Sequence, residues 1–421
     1  MTAFATMDRA ALRQRGEALR ARYDTARARG LALDMTRGKP CSEQLDLSLG
    51  MLELRDYRTA AGSDCRNYGQ LEGLPEARQL FAEVLQVEPA EVVVGGNSSL
   101  ALMHDTIVQA LLKGTPDAPP WNAQTPVKFL CPSPGYDRHF AICERYGIEM
   151  IVVPMAADGP DMDAVERLAG SDPLVKGIWC VPRYSNPTGV TYSHGVVERL
   201  ACMQTAAPDF RIFWDNAYAV HHLVERPAGL TNILAACRAA GHQERPLIFT
   251  STSKISFAGG GVAAMASSAA NVRHLLAALS IQTIGYDKLN QLRHVRFFKD
   301  AAGIAAHMRR HAAILAPKFA AVHEILDCEL GGTGSAEWSR PEGGYFVSLD
   351  TLDGCAARVV AMAKAAGVEL TKAGATFPQG KDPRDRNIRL APSLPGLAEI
   401  RGAMEVVAIC VQLASIEVLT A

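Results

Sequence analysis

The sequence has few features that indicate secretion, a membrane, a metal or a nucleic-acid partner. Its ten cysteines are scattered, without a CxxC pair or a metal-ligand spacing, which indicates reduced thiols. Lys and Arg number 43 against 44 Asp and Glu, so there is no basic excess to attract nucleic acid. No signal-peptide stretch lies between Met1 and Arg15, and no uninterrupted apolar run reaches membrane-spanning length. We therefore predict a cytoplasmic protein without a metal, a membrane or a nucleic-acid partner.

The first 30 residues are rich in arginine, with seven arginines against three acids. The pattern predicts a helix that begins at Asp8 and ends at Gly30. A solvated helix face is the favoured explanation of these charges.

The order of apolar segments predicts an α/β protein with two domains. Strands alternate with helices through the middle of the chain, and 421 residues exceed one ordinary core. After about residue 300 the pattern changes to a long helix over 307–326, three short strands and a closing helix over 397–413. We predict a large domain with a mostly parallel central sheet, over 51–300, and a smaller α+β domain built from both termini. The smaller domain covers 301–421, and the N-terminal helix and arm, 1–50, pack with it.

Polar side chains follow five of the predicted strands. Ligands of open parallel sheets bind beyond the carboxyl ends of the strands, so these residues are candidates for one site. In chain order they are Gly95, Gly96, Asn97, Ser98 and Ser99; Tyr136 and His139; Asn186; Asp215 and Tyr218; and Ser251 and Lys254. Each group alone also fits a helix cap, a turn or a surface lysine.

One ligand, pyridoxal 5'-phosphate, accounts for all five groups. Its phosphate would bind at the helix start of Ser98 and Ser99, with Ser251 assisting. Its aldehyde would form a Schiff base with Lys254, whose amine becomes neutral on burial. Asp215 would pair with the pyridine nitrogen and keep the ring an electron sink.

The remaining strand-end residues fit the ring of the same cofactor. Asn186 and Tyr218 would hydrogen-bond its hydroxyl group, and Tyr136 would stack on its face. His139 would orient Asp215 from behind.

The chain resembles a fold type I, class I aminotransferase, and most closely the divergent aspartate aminotransferase subgroup called type Ic. The resemblance runs from Gly38 to Arg389. The motifs shared with the class are Tyr68-Gly-Gln-Leu-Glu-Gly73, Asn186-Pro-Thr-Gly189, Asp215-Asn-Ala-Tyr218, Ser251-Thr-Ser-Lys254 and Asn387-Ile-Arg389. The subgroup wording is Arg37-Gly-Lys-Pro40, Ser133-Pro-Gly-Tyr-Asp-Arg-His139 and the segment that ends in Gly259-Gly-Gly261.

The resemblance implies roles that the residues alone do not assign. Arg389 would hold the substrate α-carboxylate by a bidentate pair, with Asn186 and the backbone of Gly38 beside the substrate. By spacing alone Arg389 could equally form a salt bridge. Tyr68 would reach the phosphate of the neighbouring subunit's cofactor, which implies a homodimer with shared active sites.

Two positions depart from the family pattern. The family's phosphate-binding arginine stands eight residues after the lysine, where this chain has Val262, so the serines, the helix dipole or another basic residue would serve the phosphate. The arginine that binds a distal substrate carboxylate also has no clear counterpart. Lys288, Arg37 and Lys39 are rival candidates for it.

The resemblance implies transamination in two stages. An amino acid, with aspartate favoured, would give its amino group to the cofactor, and 2-oxoglutarate would then take it up in a ping-pong cycle, with Lys254 moving the α-proton and Asp215 and Tyr218 assisting. The alternatives are an aminotransferase for aromatic, branched or aminoadipate-type donors, and a C-S lyase or cyclase of the same fold. A regulator that senses the cofactor is disfavoured, because its extra DNA-binding domain would need space before residue 38.

Overall fold

The computed structural model describes residues 3–116 and 118–421, so residues 1 and 2 of the predicted N-terminal part lie outside the described residues. The helices are α1 Arg9–Ala28, α2 Ser42–Asp46, α3 Pro75–Leu85, α4 Ser99–Lys113, α5 Asp137–Arg145, α6 Met162–Ser171, α7 His194–Cys202, α8 Ile233–Ala239, α9 Ala269–Gln282, α10 Lys288–Phe298, α11 Ala301–Leu330, α12 Ala356–Ala365 and α13 Leu397–Thr420. The strands are β1 Leu33–Asp34, β2 Val92–Val94, β3 Lys128–Ser133, β4 Glu149–Ala156, β5 Gly159–Pro160, β6 Val175–Cys180, β7 Arg211–Asp215, β8 Pro246–Ser251, β9 Ala263–Ala266, β10 Ala336–Trp338, β11 Val347–Thr351, β12 Val368–Glu369 and β13 Asn387–Leu390.

The central sheet has eight strands in the order β2-β9-β8-β7-β6-β3-β4-β5. The pairs from β8 through β7, β6 and β3 to β4 are parallel, and β9 runs antiparallel to both of its neighbours. Because the parallel strands share one direction, their carboxyl ends meet at one edge of the sheet. The predicted α/β fold with a mostly parallel sheet is confirmed.

Strand β9 was absent from the sequence prediction. Its residues, Ala263 to Ala266, include no β-branched or aromatic side chain, so the segment lacks the usual strand signal. It forms a strand because it fills the position between β2 and β8, where all four of its residues are buried.

Apolar layers cover both faces of this sheet, as alternation along a strand requires. On β7, Ile212 and Trp214 belong to one buried cluster, and Phe213 belongs to the cluster on the opposite face. Both faces are buried, which explains the continuous apolar runs that predicted the strands.

The smaller part of the molecule is built from both ends of the chain. An antiparallel sheet of order β10-β11-β13 lies there, and β1 near the N-terminus pairs with β12. Residues of α1, such as Leu12 and Leu19, share one buried cluster with residues of α11, α12 and α13.

Arginines of α1 and of its C-cap are exposed to solvent, as predicted, and three of them also form ion pairs. Arg20 pairs with Glu417 of α13, Arg22 with Glu329 of α11, and Arg29 with Glu405 of α13, at 2.9 to 3.1 Å. The acids that face these arginines lie about 300 to 400 residues away along the chain, so sequence inspection could not pair them.

Helix α13 is apolar over an unusual length. By length and composition alone it could cross a membrane, with a mean hydropathy of 1.8 in its most apolar window. In the structure 72% of that window is buried inside the protein, where it contributes to the core of the smaller part.

Candidate functional site

A cavity of about 1030 Å³ opens where the carboxyl edge of the central sheet faces the smaller part of the molecule. Its wall brings together most of the predicted site residues: Arg37, Gly38, Lys39, Ser99, Tyr136, Asn186, Asp215, Tyr218, Lys254 and Arg389. Ser98, Ser251, His139, Tyr68 and Lys288 are not part of that wall.

Asp215 is the last residue of β7, and one of its two carboxylate oxygens has a hydrogen-bond partner among the described residues. Its Oδ2 accepts from Nε2 of His139 at 3.1 Å, and both side chains are buried. The His139 ring stacks on Trp179, with centroids 4.3 Å apart and an interplanar angle of 10°. Oδ1 of Asp215 is buried and has no partner among the described residues. Burying a carboxylate oxygen without a hydrogen-bond donor costs free energy, so a ligand that donates to this atom would be stabilised here.

Lys254 follows β8 and is half-buried at the cavity wall. Burial lowers the pKa of its ammonium, while the negative charge of Asp215 acts to raise it. Its Nζ lies 5.0 Å from the centre of the Tyr218 ring. The net lowering favours the neutral amine, which is the nucleophilic and basic form.

The backbone around Lys254 is held by side chains that come from other elements. The carbonyl of Lys254 accepts from the Tyr345 hydroxyl at 3.3 Å and lies 3.2 Å from Nε2 of His221. The next carbonyl, that of Ile255, lies 2.9 Å from Nε2 of His307 on α11. These contacts fix the turn that carries the lysine.

The aromatic residues predicted near the ligand line the same space. Tyr218 is buried, and burial raises the pKa of its hydroxyl. Tyr136 precedes α5, and its ring meets the His139 ring edge-on with centroids 4.9 Å apart. Burial also raises the pKa of Tyr136, so both phenols stay protonated near neutral pH.

Arg389 on β13 reaches the cavity from the smaller part, and its closest contacts are made by one terminal nitrogen. Its Nη1 donates to Oδ1 of Asp137 at 3.1 Å and to Oδ1 of Asn186 at 3.2 Å. Its Nε is buried without a partner among the described residues. Its Nη2 makes only long contacts, 3.5 Å to the carbonyl of Thr36 and 3.4 Å to the Thr371 hydroxyl, so this nitrogen has donor capacity left for a carboxylate.

The predicted phosphate-binding segments converge through a chain of serines. Ser98 caps α4 without a side-chain bond to it, and Ser99 begins that helix. Ser251 donates to Ser253, whose own hydroxyl donates to the carbonyl of Asn97 at 3.1 Å. The helix start and the end of β8 are thus tied together, and an anion there would meet free N–H groups.

At the position of the family's phosphate-binding arginine this chain has Val262, a core residue. Val262 is buried, and its N–H donates to the Thr252 hydroxyl at 2.8 Å. The preceding Gly261 packs so closely that a Cβ there would lie 2.9 Å from the backbone nitrogen of Ser253. The glycine run therefore holds the backbone close to the serines, and its next side chain points into the core.

Of the three candidates for a distal carboxylate, two line the cavity. Arg37 and Lys39 flank Gly38, where a Cβ would lie 2.6 Å from the Phe346 ring. Lys288 is buried outside the cavity, and its Nζ donates to the carbonyl of Tyr68 at 3.0 Å. The cavity wall as a whole carries seven basic and four acidic side chains, a balance that favours anionic ligands.

Tyr68 lies on an exposed apolar surface away from the cavity of its own chain. Its side chain is 81% exposed. Leu49, Leu52, Ile281 and Ile284 are also large apolar residues with more than half of their area exposed. Gly285 lies beside Gly69, which brings the segment of Ile284 next to Tyr68.

Three residues that contribute to the site were not predicted from the sequence. Ser253 belongs to the motif Ser251-Thr-Ser-Lys254 but had no predicted role. Asp137, the neighbour of Tyr136, pairs with Arg389, and the sequence gives no sign of that pair. His221 follows the Asp215 motif by three residues, at a helical spacing from Tyr218 that could have drawn attention to it.

No candidate metal site accompanies this cavity in the described ranges. Within residues 3–116 and 118–421, no group of three His, Cys, Asp or Glu side chains could hold a metal ion. All ten cysteines are free thiols.

Comparison with known proteins gives a consistent result. The family model described as aspartate amino-transferase matches residues 7–421. The aspartate aminotransferase of Corynebacterium glutamicum is 50% identical over 405 residues, or 95% of this chain and 94% of that protein. A protein of Mycolicibacterium smegmatis is 53% identical over 403 residues, 94% of each chain. The crystal structure of an aspartate transaminase from C. glutamicum superposes with a TM-score of 0.95 at 49% identity and covers 98% of both chains.

Fold and cavity together define a fold type I aminotransferase, as the resemblance implied. This class joins a mostly parallel sheet to a smaller part made from both chain ends, with the site between them. The chain belongs to the aspartate aminotransferase family.

Proposed function

We propose that this aminotransferase uses pyridoxal 5'-phosphate to exchange an amino group between aspartate and 2-oxoglutarate. The observation that carries the proposal is that three groups line one cavity. They are the amine of Lys254, whose pKa is lowered, the unpartnered buried oxygen of Asp215, and the guanidinium of Arg389, which has donor capacity left. The chemistry of these three groups suits an aldehyde, a ring nitrogen and a substrate carboxylate, respectively.

The residues present fit the cofactor. Oδ1 of Asp215 would accept from the protonated ring nitrogen, which removes the cost of leaving that oxygen unpartnered. Asn186 and Tyr218 would bond the ring hydroxyl, and Tyr136 would cover the ring. Ser98, Ser99, Ser251 and the N–H groups of α4 would hold the phosphate, in place of the arginine that Val262 replaces.

Bound in this way, pyridoxal phosphate would supply an electron sink for negative charge at the substrate α-carbon. The chain's own residues do the rest. Arg389 holds the α-carboxylate, which fixes the direction of the Cα–H bond. Lys254, whose lowered pKa favours the neutral amine, takes the α-proton on Nζ. His139, stacked on Trp179, holds Oδ2 of Asp215 and so leaves Oδ1 for the donor that the cofactor ring would supply.

The choice of dicarboxylic substrates is supported by the charge of the cavity. Seven basic side chains line it, and Arg37 and Lys39 are the candidates for the distal carboxylate. The 50% identical C. glutamicum protein, an aspartate aminotransferase, supports the same substrate. We propose two successive half-reactions, in which the 2-oxo acid product of aspartate leaves before 2-oxoglutarate binds.

We also propose a cytoplasmic homodimer with shared active sites. The free thiols of all ten cysteines suit a reducing compartment. Several large apolar side chains are exposed and could be covered by a second copy: Leu49, Leu52, Tyr68, Ile281 and Ile284. Tyr68 would then reach the cofactor phosphate of the partner subunit.

A screen of amino donors against 2-oxoglutarate tests this proposal. The holoenzyme is mixed with each amino acid alone, and the spectral change of the bound cofactor is followed before 2-oxoglutarate is added. We expect aspartate and glutamate to react, and added 2-oxoglutarate to restore the starting spectrum after reaction with aspartate. If only aromatic or branched donors react, the aspartate proposal is wrong. If pyruvate or ammonia accumulates without 2-oxoglutarate, the protein is a lyase.

A further inference from the structure

Arg389 already has an anionic partner in the protein itself. Its Nη1 lies 3.1 Å from Oδ1 of Asp137, and this is its sole ion pair within the described part of the chain. Its Nη2 makes only long contacts, 3.5 Å to the carbonyl of Thr36 and 3.4 Å to the Thr371 hydroxyl. A carboxylate thus occupies one edge of the guanidinium that the proposed function assigns to the substrate.

The ion pair connects the two parts of the molecule. Asp137 is the first residue of α5, beside the central sheet, and Arg389 belongs to β13 of the smaller part. The Asp137 side chain is 36% exposed, against 8% for Arg389. Asp137 can therefore turn toward solvent at little cost, and Arg389 cannot leave the wall.

Two carboxylates compete for one guanidinium at this position. Because Nε is buried, a substrate carboxylate in the cavity would pair with Nη1 and Nη2, and Asp137 already holds Nη1. If both were present, their like charges would repel each other in a partly desolvated cavity. Of the two protein side chains, Asp137 is the more exposed and therefore the one that we expect to move.

We propose that Asp137 is a positioning residue that competes with the substrate for Arg389. It holds the guanidinium in place between substrates, yields it when a carboxylate binds, and takes it back when the product leaves. It thereby weakens carboxylate binding and speeds product release. This inference rests on the proposed role of Arg389 as the α-carboxylate site.

The test is Asp137→Asn in the holoenzyme, with maleate as a dicarboxylate that binds but does not react. Because an amide carries no charge to compete with, we expect the Kd of maleate and the KM of both substrates to fall about 3- to 10-fold at low salt, with kcat unchanged or lower. Calorimetry gives the Kd independently of activity. A merely structural role of Asp137 would not tighten binding.

Glu144→Gln is the matched control. Glu144 also lies on α5 and also contacts the smaller part, since it accepts from the N–H of Gln379 at 3.1 Å, but it does not line the cavity. Its substitution removes the same charge and should leave the Kd of maleate within twofold. If Asp137→Asn weakens maleate binding, or matches Glu144→Gln, the competition is refuted.

Arg389→Lys separates this inference from the proposed function. If this variant binds maleate as tightly as the native protein, Arg389 is not the carboxylate site and the assignment itself is wrong. If Arg389→Lys weakens binding while Asp137→Asn does not tighten it, only the role of Asp137 is refuted.

Discussion

At the scale of the residue, the site depends on buried polar groups that lack the hydrogen-bond partners or the solvation such groups usually have. Asp215 keeps one oxygen without a donor, and Arg389 keeps its Nε unpaired, both buried. Lys254 keeps its amine in a partly desolvated wall, where its pKa is lowered. The unpartnered oxygen of Asp215 and the desolvated amine of Lys254 cost free energy, and the cofactor would relieve both costs.

Replacing Lys254 tests the residue that is expected to move the α-proton. We expect Lys254→Ala to lower kcat by about 10⁴, because the substitution removes the amine that is proposed to move the α-proton. The cofactor should still bind through Asp215 and the serines, as measured by absorbance after gel filtration. Lys128→Ala is the control, since that lysine pairs with Asp172 away from the cavity and should leave the rate within twofold. Normal transamination by Lys254→Ala would contradict the mechanism.

At the scale of the element, the end of β8 and the start of α4 act as one phosphate-binding unit. The serine chain from Ser251 through Ser253 to the carbonyl of Asn97 joins them. Gly261 presses against Ser253 from the other side, and Asn290 of α10 donates to the carbonyls of Gly260 and Gly261 at 3.0 Å. The backbone at this position is therefore fixed by packing.

Gly261→Ala should damage this unit. A Cβ at this position would lie 2.9 to 3.0 Å from three atoms of Ser253, so the serine or the glycine run must shift. We expect a loss of about 1 to 3 kcal/mol in the free energy of unfolding, measured in urea, and weaker cofactor binding. Gly259→Ala, two residues away, meets nothing within 4 Å and should change stability by less than about 0.5 kcal/mol. Equal effects of the two substitutions would contradict the packing argument.

At the scale of the whole molecule, the sequence predicted which residues stand at the ends of strands. It did not predict contacts between residues that are far apart along the chain. The strand-end rule works because parallel strands share a direction, and it brought Asn186, Asp215 and Lys254 to one wall. The pairing of Asp137 with Arg389 joins residues 252 positions apart, and no local pattern encodes it. Strand β9 forms only because its neighbours leave a space for it, which a propensity argument cannot foresee. The role of Arg389 came from family resemblance, and the spacing alone left it open.

The whole molecule should also lose stability as the pH falls below 6.5. Burial lowers the pKa of His221 to about 3 and that of His311 to about 3, so both stay neutral in the folded state. The unfolded chain binds these protons near pH 6.5, so on acidification it binds more protons than the folded state does, and folding weakens. Each histidine costs about 1.4 kcal/mol by pH 5.5.

Urea unfolding at fixed protein concentration, at pH 7.5 and pH 5.5, measures this loss. We expect a fall of at least about 3 kcal/mol, because burial also lowers the pKa of His222 and that of His294 to about 4, which adds to the loss from His221 and His311. His311→Asn should remove about 1.4 kcal/mol of the pH dependence, whatever its effect on stability at pH 7.5. A stability that is unchanged between the two pH values would contradict the neutral burial of these side chains.

The central claim is that the amine of Lys254 carries the cofactor in this cavity. The most direct measurement is to reduce the holoenzyme with borohydride, digest it and locate the pyridoxyl group by mass spectrometry. The account predicts one modified peptide, with the group on Lys254 and none on the other cavity lysines, Lys39, Lys364 and Lys372. A group on any other lysine, or no group on a protein that transaminates, would contradict it.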